Sequence, residues 1–155
     1  MEIKKTLIVM GAILYAGEVQ GQDNNKDRFE DMYCLAKNIY FESRNQPDIG
    51  KIAVAQVVMN RVKSEQFPDS ICEVVQQGGE RRHKCQFSWY CDGKSDEPTD
   101  MLSWDHSVYV SLLVYGGQIG DITDGAMWYH ADYVKPSWSY NLTKTIRIND
   151  HIFYK

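Results

Sequence analysis

Ile52-Ala53-Val54-Ala55-Gln56-Val57-Val58-Met59-Asn60-Arg61-Val62 is apolar nearly all round. A helix with that character belongs in the centre of a core, not on a surface. Asp48 offers an N-cap, so the spacing predicts a helix over Ile49–Lys63. Its polar members, Gln56, Asn60 and Arg61, fall on roughly one side. Buried polar groups need partners, and lining a cleft would supply them. Gln56 and Asn60 are therefore candidate substrate contacts.

Upstream, Phe29, Met32, Tyr33, Ala36, Ile39 and Tyr40 recur at helical spacing, which predicts a helix over Phe29–Phe41. Arg44-Asn45-Gln46-Pro47 ends it, because proline disfavours helix in the residue before it. Downstream, Pro68–Asp100 reads as one long irregular stretch with Gly78-Gly79, Gly93 and Pro98. Loops of that length are functional or crosslinked more often than not. A third helix is expected from about Thr99 to Tyr115, with Trp104, Val108, Leu112 and Tyr115 on its packed face and Gly116-Gly117 as its stop. Short strands follow at Ala126–His130, Thr145–Ile148 and His151–Tyr154, and Asn149-Asp150 is a two-residue hairpin turn between the last two. Helices first and a small antiparallel sheet last make an α+β domain.

The chain of 155 residues is one domain's worth, and its 43% hydrophobic and 25% charged residues are ordinary for a globular protein. The start differs. Lys4 and Lys5 precede the uncharged run Thr6–Gly17, and a polar run begins after Val19 and Gly21. This is the pattern of a secretory signal peptide over residues 1–21, cleaved after Gly21, with Ala16 and Gly17 as weaker alternatives. The domain would then be residues 22–155. The apolar run is too short for a membrane span. Two bases and two acids leave with the segment, so the net charge stays at −4. An acidic domain whose one basic cluster is Arg81-Arg82-His83-Lys84 is a poor nucleic-acid binder.

Cys34, Cys72, Cys85 and Cys91 are even in number, and with export they suggest disulfides whose pairing stays open. Their spacing fits no zinc site, so neither metal nor cofactor is expected. A Cys/His nucleophile pair is possible in principle, but export and the even cysteine count argue against it.

Three segments carry candidate chemistry. Glu42, behind Tyr40-Phe41 and beside Arg44, sits where both the helix C-terminus and apolar neighbours disfavour a negative charge. Both raise a carboxyl pKa, which suits a general acid. Cys85-Gln86-Phe87-Ser88-Trp89 mixes rings with amide and hydroxyl groups, as a sugar-binding wall does. Trp128-Tyr129-His130 leads from a strand into a loop with Lys135-Pro136-Ser137-Trp138.

Taken in order, these segments resemble the cell wall hydrolase family named for SleB and CwlJ, the spore-cortex-lytic enzymes. Cys34-Leu35-Ala36 through Tyr40-Phe41-Glu42-Ser43-Arg44 is similar to the family's opening helix, Ile52–Val62 to its central helix, and Cys85-Gln86-Phe87-Ser88-Trp89 to its C-Q-F-S-W motif. Tyr129-His130, Val134-Lys135-Pro136-Ser137-Trp138 and His151-Ile152-Phe153-Tyr154 are similar to its later blocks. The resemblance implies a lysozyme-like helical domain that cuts peptidoglycan glycan strands as a lytic transglycosylase, with Glu42 as the catalytic acid. It implies Tyr40, Arg44, Gln86, Phe87, Ser88, Trp89, Tyr129 and His130 as glycan contacts, beside Gln56 and Asn60, and an exported monomer. A hydrolytic muramidase using a second carboxylate, such as Asp48, Asp92 or Asp132, is the alternative; a non-catalytic glycan-binding module is a further one. Asn45-Gln46 departs from the family's usual Gly-Glu, and Ser43 from its Ala. The spore enzymes' separate wall-binding domain has no counterpart in these residues.

Overall fold

The structure is a computed structural model that describes residues 20–155, with side chains from Lys26 onward. The signal-peptide segment lies outside the described residues except for Gln20 and Gly21, which open the first helix. In order come α1 (Gln20–Ser43), α2 (Asp48–Val62), α3 (Ile71–Gln76), α4 (Met101–Tyr115), β1 (Trp128–Ala131), β2 (Lys144–Ile148) and β3 (His151–Tyr154). Single 3-10 turns cover Ser88–Cys91 and Ser137–Asn141. The expected α+β architecture is present. Among the described residues, no helix is long and apolar enough to cross a membrane.

The centre is α2, as its all-round apolarity requires. On one side, Ala55 and Val58 pack with Leu35 and Ile39 of α1, Val74 and Val75 of α3, and Val110 and Val114 of α4. On the other, Ala53 and Val57 pack with Ile148 and Phe153 from the sheet and with Ala126 just ahead of β1. Burying such side chains is worth roughly 1.5–3 kcal/mol each. The helix begins one residue earlier than the sequence suggests. Pro47 takes the cap position without a side-chain bond, and Asp48 sits in the first turn, 3.5 Å from Lys51 Nζ and 3.2 Å from His106 Nδ1. A carboxylate there still complements the positive end of the helix.

The helix α4 packs through a different face from the one its large residues suggest. Ser107, Val110, Ser111 and Val114 are buried, while Leu112 is 48% exposed. Small serines let the helices approach closely, and their hydroxyls donate back to Ser103 O and Val108 O at 2.8 Å each. Counting apolar residues alone misses such a face. Asp100 caps the helix by accepting from Ser103 N at 3.3 Å.

The sheet order is β1-β3-β2, antiparallel throughout, with Tyr129 opposite Phe153 and Ile148 opposite His151. The turn between β2 and β3 places Asn149 at φ 50°, a left-handed conformation that asparagine tolerates better than most residues. The stretch expected to be irregular throughout contains α3, capped by Ser70 accepting from Glu73 N. Two disulfides resolve the open pairing: Cys34–Cys72 ties α1 to α3, and Cys85–Cys91 closes the loop around Phe87.

Candidate active site

The last turn of α1 carries Glu42, since the helix runs on to Ser43. Buried Ser43 donates from Oγ to Ile39 O at 2.8 Å, which holds that turn closed. Phe41, the neighbour of Glu42, stacks on Trp89 with ring centroids 4.7 Å apart. From the other side, β1 brings Tyr129, whose hydroxyl donates to Glu42 Oε2 at 2.8 Å. The Tyr129 ring is fixed against Phe153 and His151, with centroids at 5.6 and 5.2 Å.

These groups meet in a pocket of about 270 Å3 lined by Glu42, Arg61, Cys85, Gln86, Phe87, Trp128, Tyr129 and Trp138. Among the described residues, Glu42 is the one carboxylate in that lining. Burial pushes the Glu42 carboxyl above the ordinary glutamate range, while the Tyr129 hydrogen bond and the Arg61 charge pull it back in part. The Tyr129 hydroxyl is pushed well above its usual range, first by burial and then by the neighbouring Glu42 charge, so it remains a hydrogen-bond donor. Arg61 is lowered to about 10 by burial, opposed by Tyr129 and Glu42, and it keeps its charge at neutral pH.

The remaining expected contacts divide. Gln86, Phe87 and Tyr129 reach the pocket with Glu42. Tyr40 does not: it is buried, and its hydroxyl accepts from Thr99 N and Asp100 N at 3.1 and 3.0 Å, anchoring the entry to α4. Those two bonds, Asp100 N first, also draw its pKa down against burial. Arg44 is exposed and lies over the Tyr40 ring at 5.1 Å, away from the pocket lining. Trp89 is in the core, donating from Nε1 to Asn38 Oδ1 at 3.1 Å, and Ser88 is exposed at the start of its 3-10 turn.

The polar side of α2 also differs from expectation. Gln56 and Asn60 are not in the lining of the Glu42 pocket; they tie down the chain that leads into β1. Gln56 donates to Gly120 O at 2.7 Å and accepts from Ile122 N at 2.8 Å. Asn60 donates to Ala126 O and Asp121 Oδ2 at 3.0 Å each. Backbone amides of a returning segment satisfy these groups as well as a ligand would. His130 is likewise structural. Alternation along β1 turns it to the opposite face from Tyr129. Its Nδ1 lies 2.8 Å from Ala131 O and its Nε2 2.9 Å from the Tyr154 hydroxyl, with Tyr154 stacked at 5.3 Å and Trp138 edge-on at 5.6 Å.

Three pocket residues, Arg61, Trp128 and Trp138, lie inside the quoted segments but are not among the glycan contacts expected from the sequence. For Arg61 a signal exists, since a charge inside an otherwise apolar helix requires a purpose. The carboxylates proposed as second acids lie elsewhere. Asp48 pairs with Lys51 and His106, Asp92 with Lys94, and Asp132 with Arg147. Gln46, where the family has glutamate, donates to Asp150 Oδ2 at 3.0 Å and joins the α1–α2 turn to the β2–β3 turn.

The fold is a helical domain with a small sheet, and its aromatic pocket holds one partly buried carboxyl. The chain belongs to the Cell Wall Hydrolase family, whose pattern matches residues 45–154. The match begins just beyond Glu42. A spore cortex-lytic enzyme of Halalkalibacterium halodurans is 29% identical over 125 residues, covering 79% of this chain and 34% of that protein. One from Bacillus cereus is 42% identical over 45 residues, 29% of this chain and 17% of that protein. The chain thus spans about a third or less of those relatives' length. The catalytic domain of the germination-specific lytic transglycosylase SleB from Bacillus anthracis superposes with a TM-score of 0.66 at 26% identity, covering 92% of this chain and all of that one. The Bacillus cereus SleB catalytic domain gives 0.62 at 26% identity, over 82% and 91%.

Proposed function

We propose that this domain cleaves the bond between N-acetylmuramic acid and N-acetylglucosamine in peptidoglycan, as a lytic transglycosylase with Glu42 as its acid and then its base. The observation that carries the reading is the single raised carboxyl at the pocket. Protonated Glu42 gives its proton to the glycosidic oxygen as the bond to the muramoyl C1 breaks. The resulting carboxylate is held by the Tyr129 hydroxyl and the Arg61 charge, so it persists long enough to act again. It then takes the proton of the muramoyl C6 hydroxyl as that oxygen closes onto C1. The product is a 1,6-anhydro sugar, and no water is consumed. An attacking hydroxyl already tethered to the substrate needs no second carboxylate to activate water, whereas the hydrolytic routes use a pair. Gln86, Phe87 and Tyr129 form the glycan-facing wall. We also propose that residues 1–21 direct export and are removed.

The test is mass spectrometry of fragments released from purified peptidoglycan. Anhydro ends, lighter by one water and resistant to borohydride, are expected. Mainly reducible ends would overturn the transglycosylase reading in favour of hydrolysis.

A further inference from the structure

Arg61 is 3% exposed, yet it lines the pocket that holds Glu42. Its Nε donates to Met127 O at 2.7 Å. Among the described residues that is its one hydrogen bond, and Nη1 is buried with no acceptor. The guanidinium carbon lies over the rings of Phe67 and Phe87, 5.2 and 5.1 Å from their centroids. Two rings and one carbonyl therefore hold the group, while among the described residues Nη1 is left without a protein partner. A buried donor in that state is costly and calls for a physical reason, and an acceptor supplied by a ligand in the pocket is one.

The chemistry of the missing partner follows from the charge. The one carboxylate in the pocket is Glu42, and in its protonated, acid-ready form it leaves Arg61 without a counter-ion there. A guanidinium edge fits a carboxyl-derived oxygen better than a hydroxyl. The two sugars of the glycan differ in one respect: muramic acid carries a lactyl ether on O3, ending in a carboxyl or its amide, and glucosamine does not. The pocket is at the small end for ligand sites and suits one ring with its substituent.

We propose that Arg61 selects the muramoyl residue at this site, its terminal N–H groups donating to the carboxyl-derived oxygen of the lactyl group. This rests on the peptidoglycan reading above. Selection of that ring beside Glu42 then decides which of the two alternating glycosidic bonds is presented for cleavage. Phe67 and Phe87 hold the guanidinium in place before substrate arrives, so little ordering remains for the binding step.

Binding can be read without turnover in the Glu42→Gln variant. Isothermal titration would compare a peptide-stripped glycan tetrasaccharide, the same glycan bearing dipeptide stems, and the all-N-acetylglucosamine tetramer. The muramoyl ligands should bind about tenfold or more tighter than the glucosamine tetramer, the size of one charge-assisted hydrogen bond. Preference for the free acid alone identifies a carboxylate partner; preference for both forms identifies the shared carbonyl oxygen. Adding Arg61→Gln should bring all three affinities to within about twofold, and Arg61→Lys should restore part of the preference. A purely structural Arg61 would lower the melting temperature and leave the ratio unchanged, which would overturn the proposal. Equal binding of muramoyl and glucosamine ligands by the Glu42→Gln protein would overturn it too, whether or not the Arg61 variants fold. Failure of the peptidoglycan reading would show separately, as wild-type protein that releases no fragments.

Discussion

At the scale of single residues, the proposed function rests on Glu42 and its two restraints. Glu42→Gln keeps the volume and can still accept from Tyr129, but it has no proton to give. A general acid contributes about 10²–10⁴-fold, so muropeptide release should fall by at least that lower bound while circular dichroism stays native. The same variant reads the electrostatics. Burial raises the folded-state pKa of Glu42, so its protonated form favours folding. That contribution is complete below the ordinary glutamate value of about 4.3 and is lost as pH rises through the raised value. The melting temperature of Glu42→Gln should therefore gain on wild type as pH climbs above the ordinary range, then stop gaining once folded Glu42 has ionised. Parallel melting curves at every pH would mean that Glu42 titrates as a surface carboxyl does.

Tyr129→Phe probes the opposing influence. The Tyr129 hydrogen bond favours the ionised carboxylate. Its removal moves the Glu42 pKa further up. Because the acid must be protonated to act, the alkaline limb of the kcat/KM profile should move to higher pH, while the plateau falls by about tenfold as the carboxylate loses its anchor. A limb that stays in place or moves down would show that Tyr129 does not govern Glu42.

At the scale of elements, the two disulfides do different work. Cys34–Cys72 closes a separation of 38 residues and fastens α1, which carries Glu42, to the short α3. Chain-entropy reasoning gives it about 4 kcal/mol and the Cys85–Cys91 loop about 2 kcal/mol. The shorter loop, however, carries Gln86 and Phe87 into the pocket. Denaturant unfolding of Cys34→Ala/Cys72→Ala should show the larger loss of stability, with activity kept in the folded fraction. Cys85→Ala/Cys91→Ala should show the smaller stability loss and the larger drop in activity. The reverse order would mean that the short loop is held by Trp89 and its bond to Asn38 rather than by its crosslink.

Legibility also varied by element. The central helix could be read because its apolarity has no surface face, and the β2–β3 hairpin because Asn149-Asp150 marks its turn. The inner face of α4 could not, since Ser107 and Ser111 count as polar until their hydroxyls are seen bonded to their own helix. The sequence signal at Glu42, where burial and charge conflict, coincides with a raised carboxyl that lines the pocket. Other polar residues of the motifs are bonded within the fold: Gln56 and Asn60 hold the segment leading into β1, Tyr40 the start of α4, and His130 the outer edge of the sheet. A linear sequence gives the polarity of such residues but not whether a backbone amide or a ligand completes them.

At the scale of the whole molecule, the bridges and the N-terminal pattern make a joint prediction. All four cysteines are paired in the described residues, and the two bridges hold both the acid-bearing helix and the pocket wall. Such bridges form and persist in an oxidising compartment, not in a reducing cytosol. The export proposed from the Lys4-Lys5 start and the Thr6–Gly17 run would supply the route there. Cleavage after Gly21 would leave α1 nearly entire, since that helix opens at Gln20. Protein recovered from the exported fraction should begin at Gln22, and under denaturing conditions it should react with a thiol reagent only after reduction. Protein retained in the cytosol should show all four thiols at once and melt lower, because neither α1 nor the pocket loop is then fastened. Exported protein that begins at Met1, or that exposes free thiols without reduction, would break the link between processing and oxidation.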